Sequence, residues 1–339
     1  MRKIALVVGA RPNFVKIKPL ISEMKGKRIP YFLINTGQHF SREMSSDFLG
    51  EFSIKPDYNI NPRRGSPLKQ FADILVGLEN IFIKEDPSLV VVVGDVNSTL
   101  AGAVAAKKMN IKLVHVEAGL RSGNYQMPEE YNRILTDKLS DILFAASRDD
   151  VKNLKKENIN GRIFMVGNIM IDALAAIKFA KKKRGEKYYY CTLHRAENVD
   201  NKKTFKNILN ALEIISEDCK IYLPLHPRTK KMALQLGLYG KLKKIFFLLP
   251  PLSYKESAEF QKNAALVLTD SGGVQEESSF LGTPCLTLRT ETERPVTIEY
   301  GTNTIAGITE ESILRAYKRK KLAVSKRKIP LWDGKTSAR

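Results

Sequence analysis

Short apolar runs alternate with polar segments of helical length from one end of this chain to the other. The runs of the first half are 3–8, 31–35, 89–93, 112–116, 142–145 and 163–166, and the series restarts at 188–193, 220–225, 245–249, 266–269 and 285–288. Runs of this kind are typical of parallel strands that helices cover on both faces. We therefore predict an α/β fold with two doubly wound, Rossmann-like domains that face each other across a cleft.

The charged stretch 177–187 separates the two series of strands. A chain of 339 residues is long enough for two domains, each of roughly 150–190 residues with its own core. We place the N-terminal domain at residues 1–176 and the C-terminal domain at residues 177–339.

Composition narrows the class of protein. The net charge is +20, but the basic runs 181–184, 318–321 and 326–328 lack the interleaved aromatics of nucleic-acid-binding proteins, so we expect no nucleic acid as the main ligand. Neither a signal peptide nor a membrane span is recognised, which predicts a cytoplasmic protein without a membrane partner. Cys191, Cys219 and Cys285 are isolated, so neither a disulfide framework nor a zinc site is expected.

Polar residues follow most of the predicted strands. Ligands of open α/β sheets bind outside the carboxyl ends of the strands, so these residues are candidates for a site. All four histidines of the chain are predicted at strand ends on the side of the cleft. The strand-end segments are 9–16, 37–39, 94–95, 115–117, 194–195, 226–228 and 270–277.

The segment 266–277, LVLTDSGGVQEE, has the pattern of a nucleotide-sugar pocket. Gly272 and Gly273 remove Cβ atoms where a diphosphate would approach the backbone, and the start of the following helix favours an anion. Glu276 or Glu277, one turn later, could accept hydrogen bonds from ribose hydroxyls. The alternative is a tight strand-to-helix turn with a solvated acidic face.

Carboxylates concentrate in the first half, at Asp95, Glu117, Glu129 and Glu130. We expect the first three to converge on the cleft, where burial and neighbouring acids make proton transfer feasible at neutral pH. Opposite them, the side chains of Arg11, Lys16, His194 and Arg294 could surround a leaving diphosphate. Arg133 is a further candidate ligand, although it could instead form an i,i+3 ion pair with Glu130.

Several motifs of other enzyme classes are absent from the sequence. No two glycines are spaced as GxG, so the dinucleotide fingerprint is missing and NAD is not expected. The segment 334–336, GKT, lacks the glycine that a phosphate loop requires five positions earlier. Neither a GxSxG elbow nor a metal-binding DxD follows a strand, and we predict no metal and no cofactor.

The motifs GARPNFVKIKPL, GDVNST, HVEAGLRSG, MPEEYNR, TLHRAENVD, LTDSGGVQEE and TERPVTIEYGTN occur in this order over nearly the whole chain. The sequence thereby closely resembles the non-hydrolysing UDP-N-acetylglucosamine 2-epimerases. The resemblance implies the two-domain GT-B-type fold of one glycosyltransferase class, catalysis without metal or NAD, and a homodimer. It also implies reversible conversion of UDP-GlcNAc, a UDP-sugar, to UDP-ManNAc.

The resemblance further implies roles for residues. UDP would be eliminated to give 2-acetamidoglucal and then added back after protonation of C2 from the other face, with proton transfer by Asp95, Glu117 and Glu129. The residues implied to bind the UDP moiety are Arg11, Lys16, His194, Ser271, Gly272, Gly273 and Arg294 at the diphosphate and Glu277 at the ribose. Gln38 and His39 resemble a regulatory segment of bacterial members, but residues 40–42 continue differently.

The sequence departs from the family pattern at two places. Asn13 stands where the commonest members have glutamate, which leaves open a related UDP-2-acetamido sugar, such as a 2,3-diacetamido sugar. The chain also ends where members usually begin a final helix that crosses back to the first domain, so this helix is expected to be missing. Three different functions stay open beside the epimerase: a hydrolysing enzyme that releases ManNAc and UDP, a glycosyltransferase, and a nucleic-acid-binding protein.

Overall fold

The computed structural model describes residues 2–37, 54–180, 186–320 and 328–339. The chain divides into two compact units, which we call the first unit, Met1–Ala176 with Pro330–Arg339, and the second unit, Ile177–Ile329. Each unit is built around its own parallel sheet. The predicted α/β class with two Rossmann-like domains is confirmed.

The first unit contains a seven-stranded sheet in the order β3-β2-β1-β4-β5-β6-β7. Its strands are β1 Ile4–Val8, β2 Tyr31–Asn35, β3 Tyr58–Asn59, β4 Leu89–Val93, β5 Lys112–Ala118, β6 Ile142–Ala145 and β7 Arg162–Met165. Its helices are α1 Arg11–Gly26, α2 Pro67–Glu85, α3 Asn97–Lys108, α4 Pro128–Leu139, α5 Arg148–Lys156 and α6 Ile169–Ala175. The order reverses between β1 and β4, which is the doubly wound topology.

The central strands of this sheet are apolar on both faces because helices cover both. Val90 and Val92 of β4 are completely buried, and Val91 and Val93 are nearly so. In register, β4 pairs with β1 on one side and β5 on the other, both parallel. The alternation that marks a half-exposed strand is therefore missing from β4, as the sequence pattern indicates.

The second unit repeats the same topology with six strands in the order β10-β9-β8-β11-β12-β13. Its strands are β8 Tyr188–Thr192, β9 Lys220–Pro224, β10 Phe246–Leu249, β11 Leu266–Thr269, β12 Cys285–Thr287 and β13 Asn303–Ile305. Its helices are α7 Ala196–Val199, α8 Lys202–Asp218, α9 Pro227–Gln235, α10 Tyr239–Ile245, α11 Tyr254–Asn263, α12 Gly272–Leu281, α13 Val296–Glu299 and α14 Glu310–Lys320. Its strand order reverses between β8 and β11.

The last ten residues pack with the first unit, whereas the sequence pattern predicts them in the C-terminal domain. The Asp172 carboxylate accepts the backbone N–H of Thr336 at 2.9 Å and that of Ser337 at 2.6 Å. The Trp332 ring nitrogen donates to the carbonyl of Ala146 at 3.2 Å. These contacts satisfy buried polar groups of the first unit. The predicted C-terminal domain, residues 177–339, is corrected at its end, because residues 330–339 belong to the first unit.

Within the described residues, no helix is long and apolar enough to cross a membrane.

Candidate active site

The carboxyl ends of β1 and β4 lie at the strand-order reversal of the first unit, where open α/β sheets bind ligands. The turn after β1 is filled by the protein itself: a Cβ at Gly9 would lie 2.0 Å from Ser98 Oγ and 2.2 Å from Thr36 Oγ1. These two hydroxyls hydrogen-bond to each other at 2.6 Å. Glycine is therefore required at position 9 by close packing, which the sequence alone does not distinguish from ligand approach.

Asn13 joins the turn after β1 to the end of β4. Its side-chain oxygen accepts the backbone N–H of Ala10 at 3.1 Å, and its amide nitrogen donates to the carbonyl of Val93 at 2.9 Å. An ionised glutamate at this position could not donate to Val93. The departure from the family pattern is thus matched by a hydrogen bond that an amide makes.

Glu117 is buried and its Oε2 pairs with the ammonium of Lys16. The sequence groups Lys16 with the predicted ligands of the diphosphate, but in this structure its contact is with an acid of the first unit. Glu117 also has a φ of +73°, a conformation that is unfavourable for a residue with a side chain. The register of β5 and β6 shifts between Val116 and Ala118, so a bulge at this position points the Glu117 carboxylate toward Lys16.

Asp95 follows β4 and accepts two hydrogen bonds from one arginine. Arg133 Nε lies 3.0 Å and Nη2 2.6 Å from Asp95 Oδ2, and Arg133 Nη1 lies 2.7 Å from Glu130 Oε2. Arg133 is 2% exposed. Its i,i+3 ion pair with Glu130 is the arrangement that the sequence offers as the alternative to a ligand role. Arg133 in addition holds the candidate acid Asp95.

Two adjacent glutamates of α4 have different environments. Glu130 is buried; although burial favours its neutral form, hydrogen bonds from the N–H groups of Ser122 and Gly123 and from Arg133 lower its pKa. It is therefore a structural carboxylate. Glu129 is only partly buried, and no hydrogen bond or ion pair joins its side chain to the described part of the chain. Glu129 is thus the more exposed of these two carboxyl groups.

In the second unit, the ends of β8 and β11 meet at a buried carboxylate, Asp270. Its Oδ2 accepts the backbone N–H groups of His194 at 2.9 Å and Arg195 at 2.8 Å. Its Oδ1 lies 3.3 Å from Nδ1 of the partly exposed His194 ring. Asp270 lies in the predicted strand-end segment 270–277, but no role is predicted for it from the sequence. It orients the candidate His194.

The two glycines of the SGG motif occupy different environments. A Cβ at Gly272 would lie 2.6 Å from Arg294 Nη1, whereas a Cβ at Gly273 would have open space around it. Ser271 precedes α12 without capping it, so its side-chain oxygen accepts no hydrogen bond from the first N–H groups of the helix. The helix start at Ser271 and Gly273 is therefore where an anion can approach the backbone.

Arg294 belongs to a buried ion-pair network beside the same helix. Its Nε lies 2.7 Å from Glu276 Oε1 and its Nη1 2.7 Å from Glu293 Oε1. Glu293 also pairs with Arg289 at 2.7 Å. Glu276 is thereby committed to Arg294, which favours Glu277 over Glu276 as the candidate ribose ligand. Glu293, which is not among the residues predicted from the sequence, fixes the guanidinium of Arg294.

Glu277 is a buried carboxyl group with a raised pKa. Burial raises its pKa to about 7, and the negative charge of Glu276 adds to this, while hydrogen bonds with Gln261 and Tyr254 oppose it. The Gln261 amide donates to Glu277 Oε2 at 2.6 Å. The group therefore changes protonation near neutral pH, where a hydrogen-bonding ligand can shift the balance.

The remaining candidates are placed as follows. His115 lies inside β5 and is completely buried, so the expectation that all four histidines sit at strand ends is wrong for this one. Its ring is needed for hydrogen bonds within the first unit and not for a ligand. Arg11 is the first residue of α1. Gln38 and His39 lie outside the described residues, and the regulatory role stays a prediction.

Within the described residues, no three His, Cys, Asp or Glu side chains are grouped so as to hold a metal ion. Two Rossmann-like units, one with carboxylates and the other with an uncapped helix start at the strand-order reversal, define a GT-B-like α/β protein. This is the class of protein to which the fold and the site assign the chain.

Comparison with known proteins gives the family. The model of the UDP-N-acetylglucosamine 2-epimerase family matches residues 23–339. A UDP-N-acetylglucosamine 2-epimerase of Methanocaldococcus jannaschii is 41% identical, covering 99% of this chain and 97% of the relative. The Pseudomonas aeruginosa UDP-2,3-diacetamido-2,3-dideoxy-D-glucuronate 2-epimerase is 39% identical, covering 93% and 91%. The chain belongs to the UDP-N-acetylglucosamine 2-epimerase family.

A solved structure agrees with this assignment. The crystal structure of the M. jannaschii UDP-GlcNAc 2-epimerase in complex with UDP-GlcNAc and UDP superposes with a TM-score of 0.92 at 41% identity, covering 99% of this chain and 97% of that chain.

Proposed function

We propose that this protein is a non-hydrolysing 2-epimerase that interconverts UDP-GlcNAc and UDP-ManNAc. The observation that carries the proposal is that the two units hold different functional groups where their strand orders reverse. The first unit presents Asp95, Glu117 and Glu129, which can transfer protons, and the second presents the open helix start at Ser271 and Gly273, which can bind a diphosphate. Relatives that carry this name support the same reaction.

The first half of the reaction removes UDP. C2 of the sugar bears an acetamido group, and its proton becomes acidic only when positive charge develops at C1. A carboxylate of the first unit takes the C2 proton, the C–H electron pair forms the C1=C2 bond, and the C1–O bond breaks with its electron pair leaving on UDP. The products are 2-acetamidoglucal and UDP.

The second half reverses these steps on the opposite face of C2. A carboxylic acid donates a proton to C2, and a phosphate oxygen of UDP attacks C1. Proton transfer on two faces needs at least two carboxyl groups, and we assign this work to Asp95, Glu117 and Glu129. Lys16 and Arg133 hold Glu117 and Asp95 in place through the ion pairs of the first unit.

In the second unit, the developing negative charge of the leaving diphosphate is stabilised by the start of α12 and by hydrogen-bond donors. We assign His194, oriented by Asp270, to this role together with Ser271, Gly272 and Gly273. Arg294 supports the helix start from behind Gly272. Glu277 receives hydrogen bonds from the ribose hydroxyls, and Arg11 remains a proposed ligand of the diphosphate.

Proton NMR of UDP-GlcNAc incubated with the protein in heavy water tests this function. Formation of UDP-ManNAc with deuterium at C2 is the expected result, because the intermediate is protonated by groups that exchange with solvent. Accumulation of free ManNAc and UDP would show hydrolysis instead. No turnover of UDP-GlcNAc, with turnover of a UDP-2,3-diacetamido sugar, would replace the substrate but keep the reaction type.

We also propose a cytoplasmic homodimer. Cys191, Cys219 and Cys285 are free thiols, as is usual in a reducing compartment. Helix α2 exposes Leu68 at 76%, Val76 at 58% and Ile83 at 67%, and exposed apolar side chains of this kind are suited to a second copy of the chain. Light scattering after size-exclusion chromatography should give twice the chain mass; a single-chain mass would refute the dimer.

A further inference from the structure

Three charged residues of α4 are buried at intervals of one helical turn. Glu130, Arg133 and Asp137 are 1%, 2% and 0% exposed, and their spacing of three and four residues puts them on one face of the helix. Glu130 receives the N–H groups of Ser122 and Gly123, and Arg133 holds Asp95. Asp137 is the third member of this face, and the proposed reaction does not yet use it.

Asp137 holds the side chain of His115. Its Oδ1 lies 2.6 Å from His115 Nδ1, while its Oδ2 accepts the N–H of Gly119 at 3.0 Å and lies 2.8 Å from Arg121 Nη1. A carboxylate that faces a guanidinium and a backbone N–H is stabilised in its ionised form. Arg121 is in turn paired with Glu157 through two contacts of 2.7 Å, so the two carboxyl groups share one guanidinium.

The other ring nitrogen of His115 fixes a backbone carbonyl. Nε2 lies 2.8 Å from the carbonyl oxygen of Gly94, and a carbonyl oxygen can only accept. Nε2 therefore carries a hydrogen. Nδ1 lies 2.6 Å from a carboxylate oxygen, so a hydrogen must lie between these two atoms, either on the ring or on Asp137.

The Gly94 carbonyl belongs to the turn after β4, next to the candidate acids Asp95 and Glu117. Gly94 has a φ of +72°, its N–H donates to Val116 of β5 at 3.1 Å, and the next residue is Asp95. A Cβ at Gly94 would lie 3.3 Å from Lys16 Nζ and 3.5 Å from Glu117 Oε2. The position of this peptide therefore sets the distance between Asp95 and the Lys16–Glu117 pair.

We propose that His115, held by Asp137 as a buried imidazolium, is a positioning residue that fixes the Gly94–Asp95 peptide and thereby the geometry of the proton-transferring carboxylates. His115 does not touch the substrate. The kinetic consequence rests on the proposed epimerase function, whereas the protonation of the ring does not. The protonation of His115 and its effect on catalysis can therefore be tested separately.

The first test measures the wild-type protein. Nitrogen-15 NMR of histidine-labelled protein near neutral pH resolves protonated from unprotonated ring nitrogens, and a His115→Asn spectrum assigns the signal among the four histidines. We expect both nitrogens of His115 to be protonated. An unprotonated Nδ1 would mean that Asp137 carries the proton, and it would overturn the imidazolium whether or not the protein is an epimerase.

The second test separates the two ring nitrogens by substitution. The amide nitrogen of glutamine reaches the place of Nε2, and that of asparagine reaches only the place of Nδ1. We expect His115→Asn to lower kcat for exchange of the hydrogen at C2 of the sugar with solvent by about 100-fold, because the Gly94 carbonyl loses its hydrogen-bond donor. The KM should change by less than about threefold. His115→Gln restores a donor to Gly94, and its kcat should lie within about tenfold of wild type.

Asp141→Asn is the matched control for lost stability. Asp141 accepts the N–H of Leu113 at the other end of β5 at 2.8 Å and pairs with Lys107 at 2.8 Å. It lies away from Gly94, so kcat should stay near wild type even where the melting temperature falls. Equal losses of kcat in His115→Asn, His115→Gln and Asp141→Asn would reduce His115 to a stability role. If His115→Asn does not fold, His115→Gln with a wild-type kcat still supports the proposal, and the NMR result decides the protonation.

Discussion

The two units share a strand order but use the ends of their central strands in opposite ways. In the first unit the turn after β1 is occupied by the protein, since any Cβ at Gly9 would clash with Thr36 and Ser98, and the groups held there are carboxylates paired with Lys16 and Arg133. In the second unit Gly273 borders open space, and the carboxylates of Glu276 and Glu293 hold Arg294. The same topology thus yields a set of candidate proton-transferring acids in one unit and a candidate anion site in the other, and only the side chains tell them apart.

Neutralising the acids should have the largest effect. Asp95→Asn, Glu117→Gln and Glu129→Gln should each lower C2 exchange by about 100-fold or more, the usual contribution of a general acid or base. UDP binding, measured by calorimetry, should persist because the proposed UDP ligands of the second unit are unchanged. Asp73→Asn, which breaks an exposed ion pair with Arg63, is the control.

Normal hydrogen exchange at C2 in all three acid variants would contradict the assignment of proton transfer to the first unit. Loss of UDP binding in the same variants would show that the carboxyl groups of the first unit also contribute to UDP binding. Either result would contradict the separation of proton transfer in the first unit from UDP binding in the second. Asp73→Asn must show normal hydrogen exchange at C2 for a loss in the acid variants to be meaningful.

The sheets could be predicted from the sequence because their strands are buried apolar runs with polar turns on both sides. The bounds of β2, β4, β6 and β11 agree with the sequence prediction, and most other strands differ by a residue or two. The strands that the sequence does not predict, β3 and β13, have two and three residues and pair at sheet edges. Runs so short carry no periodic signal.

The partners of the charged residues could not be predicted from the sequence. Lys16 and Glu117 are 101 positions apart, and their contact depends on the bulge in β5, which no local pattern indicates. His115 is adjacent to strand-end residues in sequence, but its side chain is buried within the first unit. The roles of Asp270 and Glu293 could not be predicted because each acts through another residue, and only the folded geometry shows which side chain each one holds.

The adjacent glycines of the second unit offer a more local test of the comparison. Gly273→Ala adds a methyl group in open space near the start of a helix, where alanine is favoured over glycine by up to about 1 kcal/mol. The melting temperature should therefore hold or rise, whereas the affinity for UDP should fall by about tenfold or more, because the methyl group blocks the approach of a phosphate to the backbone.

Gly272→Ala is the matched variant. Its Cβ would lie 2.6 Å from Arg294 Nη1 and 3.1 Å from Glu293 Oε1, so the ion-pair network must shift and stability should fall by about 1–3 kcal/mol. If Gly273→Ala bound UDP like the wild type, the diphosphate would not lie at the start of α12. The start of α12 would then give no reason to assign the diphosphate to the second unit.

The smallest effect concerns the pH dependence of UDP affinity. The pKa of Glu277 is raised to about 7, so the ionised fraction of this carboxyl group increases from about one tenth at pH 6 to about nine tenths at pH 8. An ionised carboxylate is the stronger acceptor for ribose hydroxyls. Affinity for UDP should therefore rise by up to about tenfold over this range, and the rise should be reduced in Glu277→Gln, which also corrects for titration of UDP itself.

The stability of the ligand-free protein should fall with rising pH, whereas its affinity for UDP should rise. Measuring both therefore checks whether Glu277 is the titrating group. Because the folded-state pKa of Glu277 lies above its ordinary value of 4.5, the group's stabilising contribution is fully present below that value and is lost as the pH rises through about 7. Glu277→Gln should then lose less stability than the wild type over this interval, measured by urea unfolding. A variant that shows the same pH dependence as the wild type in both binding and unfolding would place the titrating group elsewhere, and Glu277 would no longer distinguish the second unit as the ribose-binding one.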